Sequence, residues 1–140
     1  MATQDFQIDG RNFKISKINA MKQYHIVRRI GPILSDLLSS IKSIPKQDAQ
    51  MTEEQRFDEV AKIAGPIMSG LSKLSDKDAE LVLLGLLSAV EINRDGVWGR
   101  VVMNDQLMYQ DLELPVMLNA AGRSLMFNMA GFFDILQRGS

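Results

Sequence analysis

The residue best equipped for chemistry in this chain is its single histidine, His25, which has Lys22 three positions before it and Arg29 four positions after it. On a helix those offsets bring all three side chains to one face. An imidazole acts as a general base only when a nucleophile and an orienting carboxylate stand beside it, and no Ser, Cys or Asp follows at motif spacing. Cysteine is absent, which removes disulfides, thiolate catalysis and Cys-ligated zinc, and one histidine cannot build a His-rich metal site. The stretch "EINRDG", Glu91 to Gly96, resembles the start of a calcium loop with Glu91, Asn93, Asp95 and Gly96 at loop positions one, three, five and six. Position twelve is Val102, so the bidentate ligand that closes the shell is missing, and the stretch reads as a helix C-terminus followed by a turn. The chain is expected to be no enzyme and to hold no cofactor and no metal.

The elements that would position such groups follow from the apolar pattern. "FQIDGRNFKI" alternates around Asp9-Gly10, a dipeptide suited to a two-residue type I′ turn, which pairs Phe6 with Phe13 and sets Ile8 and Ile15 on the same face of a hairpin over 6–15. Asn19 is placed as an N-cap for a helix over about 20–44, and Thr52 with Gln55 forms a capping box for a second over 53–74. Ser75 opens a third over 76–93, whose "ELVLLGLLSAV" is apolar nearly all round and predicts an element enclosed by others. Val101-Val102 and Leu107 to Tyr109 flank Asn104-Asp105 and suggest a second hairpin near 97–109, although "LMYQDL" also suits a loop. Pro115 fits the first turn of a last helix over 115–136. The expected fold class is therefore mainly α, a compact helical domain of about four helices over residues 1–140 with an N-terminal hairpin.

"RIGPIL" is echoed by "AGPIM", with Gly31-Pro32 and Gly65-Pro66 separated by 34 residues. Two copies make no repeat array. Proline removes a backbone hydrogen bond and clashes with the carbonyl four residues earlier, so both helices are expected to kink there or to split at the glycine. Matched kinks would curve the first two helices around the third.

Net charge is −1, which gives no global attraction to nucleic acid. The charges are unevenly distributed, because no acidic residue lies between Asp9 and Asp36, where Arg11, Lys14, Lys17, Lys22, Arg28 and Arg29 fall. That window is either offset within the fold or forms a basic docking face of Lys22, His25, Arg28 and Arg29. Nine methionines are the other excess, serving either as core filler or as an adaptable apolar surface. No apolar run is long enough for a membrane span, and "MATQDFQIDG" lacks the features of a signal peptide.

The order of these pieces resembles a known family. A hairpin, then "INAMKQYHIVRRIGPIL", a middle apolar helix, Trp98, "VVMNDQLMYQDLELPVML" and a closing "GRSLMFNMAGFF" together resemble tail assembly chaperones of long-tailed bacteriophages, most specifically in "MKQYHIVRRIGP", "QLMYQDLELP" and the terminal "GFF". The resemblance implies a non-enzymatic protein of the host bacterial cytoplasm, absent from the mature virion. It would bind the tape measure protein, keep it soluble and help recruit tail tube subunits, in some members through a longer frameshifted form. The candidate partner surface is Met108, Met117, Leu118, Met126, Phe127, Phe132 and Phe133. Self-association stays open. The competing expectation is a small helical nucleic-acid-binding regulator that uses the basic segment 11–29.

Overall fold

A computed structural model describes the backbone of residues 3–8, 10–33 and 53–138 and the side chains of 3–8, 10–33 and 62–130. In chain order the elements are strands β1 (Thr3–Ile8) and β2 (Arg11–Ser16), helix α1 (Ala20–Ile30) with a 3-10 turn at Gly31–Ile33, and helices α2 (Glu53–Leu71) and α3 (Asp76–Leu87). Strands β3 (Val90–Arg94), β4 (Val97–Arg100), β5 (Val102–Met103) and β6 (Gln106–Leu107) precede helix α4 (Leu114–Arg138).

The expected mainly α class does not hold. Four helices share the described residues with six strands, arranged as a four-stranded antiparallel sheet of order β1-β2-β3-β4 and a separate ribbon β5-β6. The disagreement arises at residues 88–94. The expected third helix runs to Asn93, whereas α3 stops at Leu87, where Ser88 donates its backbone N–H to the Leu84 carbonyl and its hydroxyl to the Gly85 carbonyl. Beyond it, Val90 and Ile92 are buried while Glu91 between them is not, a period of two. Their β-branched side chains fit the face of a sheet better than a helix. Asp95 and Gly96 both take positive φ, at 56° and 85°, and turn β3 into β4. "EINRDG" is thus a strand and its turn.

Other expectations match. Phe6 pairs with Phe13, Ile8 and Ile15 are fully buried, and Gly10 takes a φ of 76°. Asn19 caps α1, its side chain accepting from the Lys22 N–H at 2.9 Å. The ribbon β5-β6 turns through Asn104 and Asp105, with φ of 53° and 59°. Thr52 and the continuation of the first helix past residue 33 lie outside the described residues.

The two Gly-Pro pairs behave differently. At Gly31-Pro32 the α-helix gives way to a 3-10 turn, whereas α2 runs through Gly65-Pro66. Proline inside a helix costs about 3 kcal/mol, and α2 offsets this by lying along α4 and burying Ile63, Ala64 and Ile67. The partner of α2 is therefore α4, and the expected curvature around the third helix is not what its packing shows. Gly122 allows this contact, since a methyl group there would lie 2.6 Å from Cγ2 of Ile63.

Helix α4 is the central element. It packs against α2, α3, β1 and β2. One face of the sheet, carrying Phe6, Ile8, Phe13, Ile15, Val90 and Ile92, joins Leu118, Ala121, Leu125 and Met129 in one core. The other face is polar, with Asp5, Lys14, Glu91 and Arg100 as successive cross-strand neighbours of alternating sign.

Three polar side chains of α4 are also buried, Asn119, Ser124 and Asn128. The Asn128 Oδ1 accepts from the Ile18 N–H at 2.6 Å, and its Nδ2 donates to the carbonyls of Ser16 at 3.2 Å and Ser124 at 3.1 Å. The Ser124 hydroxyl donates to the Leu86 carbonyl at 2.7 Å. One turn of α4 thereby satisfies the backbone of the β2–α1 junction and the last turn of α3. Asn128→Ala would leave the Ile18 donor and the Ser16 acceptor unpaired and should lower unfolding stability by about 2 to 4 kcal/mol. Ser124→Ala should cost roughly 1 kcal/mol, both read by urea denaturation.

Candidate functional site

Helices α1 and α3 run antiparallel. Arg29 Nε meets Asp78 Oδ1 at 3.3 Å at one end, and Lys22 Nζ donates to the Ser88 hydroxyl at 3.3 Å near the other. Between these ties the helices approach closely, and a methyl on Gly85 would lie 3.1 Å from Cδ1 of Ile26. Outside that contact lies a groove of about 360 Å³ with Ile26, Leu81, Leu84 and Gly85 as its apolar part. Lys22 and His25 border it from α1, Lys77 and Glu80 from α3, and Asp105 from the tip of the β5-β6 ribbon. Lys22 and Asp105 also border an adjoining, more polar hollow of about 490 Å³ that reaches Met103 and Arg100.

Among the described residues eight large apolar side chains stand exposed, Met21, Tyr24, Met68, Leu81, Val97, Met103, Met108 and Leu114. Leu81 borders the groove and Met103 the hollow, while Met21 and Tyr24 share the exposed face of α1 with His25 and Arg28 by helical spacing. Four of them, Met21, Met68, Met103 and Met108, are methionines whose flexible thioethers adapt to varied apolar partners.

The partner surface expected from the sequence is not gathered in one exposed patch. Leu118 is 4% exposed and belongs to the core. Met117, Met126 and Phe127 are half-buried and packed against that core, Met108 is exposed, and the side chains of Phe132 and Phe133 lie outside the described residues. Apolar residues on several sides of the last helix reflect its central position. The expected enclosure of the third helix is incomplete, because Leu81 is exposed. Its signal lay in the polar residues Lys77 and Glu80 beside Leu81 and Leu84, which mark one side of α3 as partly solvated.

The basic window is divided in the same way. Lys22 and His25 border the groove, Arg28 is exposed, and Arg29 is tied to Asp78. Lys17 donates to the Phe127 carbonyl at 2.6 Å and lies over its ring, and Lys14 lies over Trp98 at 4.3 Å. Several cations that could meet phosphates thus have partners within the fold. The His25 ring is tilted against Tyr24 at 5.4 Å. Among the described residues no three His, Asp or Glu side chains cluster as a metal site would require.

A second fixed point lies near the ribbon. Arg94 donates to both carboxylate oxygens of Asp111 at 2.7 Å, and its guanidinium lies over the Tyr109 ring at 4.5 Å. The hydrogen bonds from Arg94 hold the Asp111 carboxyl below its ordinary value of 3.8. Tyr109 in turn lies against Gly99, where any side chain would collide with its hydroxyl.

An accessible apolar groove with charged borders, built on a helix pair and a small ribbon, is one kind of surface on which an amphipathic helix can lie. The sequence profile of a family described as phage tail assembly chaperone protein, TAC, matches residues 9–139, and the chain belongs to that family. No curated protein and no solved structure matches it. Membership implies a non-catalytic role in tail assembly, with tail proteins as partners. No helix among the described residues is long and apolar enough to cross a membrane.

Two outcomes follow from these placements. Phe127→Asp puts a charge where a ring packs on the core and should destabilise the fold by about 2 kcal/mol or more, whereas Met108→Asp, at 51% exposure, should leave the melting temperature nearly unchanged. A carboxyl whose pKa is lower in the folded state stabilises above its unfolded value, and that contribution is lost as pH falls through the lowered one. Asp111→Asn should therefore cause a small loss at neutral pH that disappears in strong acid, read from urea midpoints across the acid range; the pair is exposed, so the effect is small.

Proposed function

We propose that this chain binds the tape measure protein of its phage, keeps that long helical polypeptide soluble, and helps bring tail tube subunits to it before the tube closes. It acts in the host bacterial cytoplasm and leaves before the virion is complete. The observation that carries this reading is the family match over residues 9–139, supported by exposed methionines, Tyr24 and Leu81 on a surface that also offers a groove. Apolar helices aggregate through the faces they will later bury, and a chaperone needs a surface that covers such a face and lets it go. Recruitment of the tube subunit is assigned to a longer, frameshifted form of the chain. The basic window supports a nucleic-acid reading less well, since Lys14, Lys17 and Arg29 have partners within the fold.

The test is co-expression with the tape measure polypeptide encoded by the same phage. The tape measure should be found in the soluble fraction and co-elute with the chain on gel filtration, and should precipitate without it. Equal solubility with and without the chain, and no co-elution, would overturn the reading.

A further inference from the structure

We propose that the groove between α1 and α3, with the tip of the β5-β6 ribbon as its third wall, is where a helix of the tape measure polypeptide docks. This inference rests on the function proposed above and assigns its contact surface. The occupant is an amphipathic helix with an apolar stripe, carboxylates along one flank and a cation on the other.

The charge pattern of the walls specifies that occupant. Helix α1 contains no acidic residue, and it offers Lys22 and His25 to the groove with Arg28 further along its exposed face. Asp105 borders the groove from the ribbon tip, and α3 contributes Lys77 and Glu80. A helix lying in the groove would set its apolar stripe on Leu81, Leu84 and Ile26. Glu or Asp would then suit the flank facing α1, and Lys or Arg the flank facing Asp105. Lys22, Lys77, Glu80 and Asp105 balance in sign, so no strong positive field draws a phosphate backbone to this place. The walls are also built to persist. Arg29 to Asp78 and Lys22 to Ser88 tie the two helices at separate points, and Gly85 lets them meet at Ile26 without filling the space above. The type I′ turn at Asn104-Asp105 fixes the third wall.

The test uses the full chain co-expressed with the tape measure polypeptide of the same phage. Leu81→Asp and Lys22→Glu should each reduce co-elution by roughly tenfold or more, while Val97→Asp, at a position 70% exposed on β4 and away from the groove, should not. Thermal melting of each variant separates lost binding from lost fold. If Leu81→Asp fails to fold, Lys22→Glu carries the test. A photo-crosslinking residue at position 81 should capture a tape measure segment with the stated pattern of stripe and flanks. Undiminished co-elution of folded Leu81→Asp and Lys22→Glu variants, or capture of a segment without that pattern, would overturn the groove assignment and leave the chaperone reading standing. Failure of the unmodified chain to co-elute would overturn the chaperone reading itself. Co-elution abolished by nuclease would show a nucleic-acid bridge and overturn both.

Discussion

The arrangement depends on a polar contact at the centre of an apolar helix. Asn128 and Ser124 lie one turn apart on α4 and bind backbone groups of Ser16, Ile18 and Leu86, at the end of β2, the entry to α1 and the end of α3. Apolar burial could be satisfied by several rotations of α4 under the sheet, because its apolar residues lie on more than one side. The amide accepts from one backbone group and donates to two others, so it fits only one rotation and one axial position. Hydrophobic contact drives the collapse, and this amide selects which collapsed arrangement is native.

That selection reaches the groove. The Ser16 and Ile18 contacts fix the chain just before Asn19, the cap that starts α1, and the Leu86 contact fixes the last turn of α3. Both walls of the groove are thus referred to the same turn of α4, on its far side from solvent. The surface ties Arg29–Asp78 and Lys22–Ser88 then act on helices already positioned. Exposed ion pairs contribute little alone, and their part here is to hold spacing.

Local features of the sequence carried over well. The turn at Gly10 and that at Asn104-Asp105, the Asn19 and Ser75 caps and the pairing of Phe6 with Phe13 are set by a few adjacent residues whose chemistry permits few conformations. What misled was the stretch from Ser88 to Ile92, where apolar spacing suits a helix and a strand alike. Its state is decided by the empty edge of β2, to which Val90 and Ile92 pair, and no local pattern contains that information. The family resemblance was legible because it rests on the order of motifs. The groove was not, because its walls lie at residues 22–29, 77–85 and 105, far apart in the chain, and because methionine is equally suited to core and surface. Phe127 and Met126 looked available for the same reason that α4 is central: a helix apolar on several sides has several neighbours.

A chaperone for an assembly intermediate has to release what it binds, and the proposed site is consistent with that need. Its apolar part is confined to a few side chains of α1 and α3, so burying a helix there removes a modest area from water, at about 25 cal/mol per Å², against the cost of association and of ordering long side chains such as Lys22 and Lys77. Strong affinity would require more area or deeper pockets. The charges on the walls add discrimination more than strength, since Lys22, Lys77, Glu80 and Asp105 are close to solvent and disfavour a helix presented in the wrong direction or register. A long polypeptide that repeats such a helix could engage many copies, each weakly. An assembling tube that buried the same apolar stripe more completely would then displace them one at a time without any single large barrier.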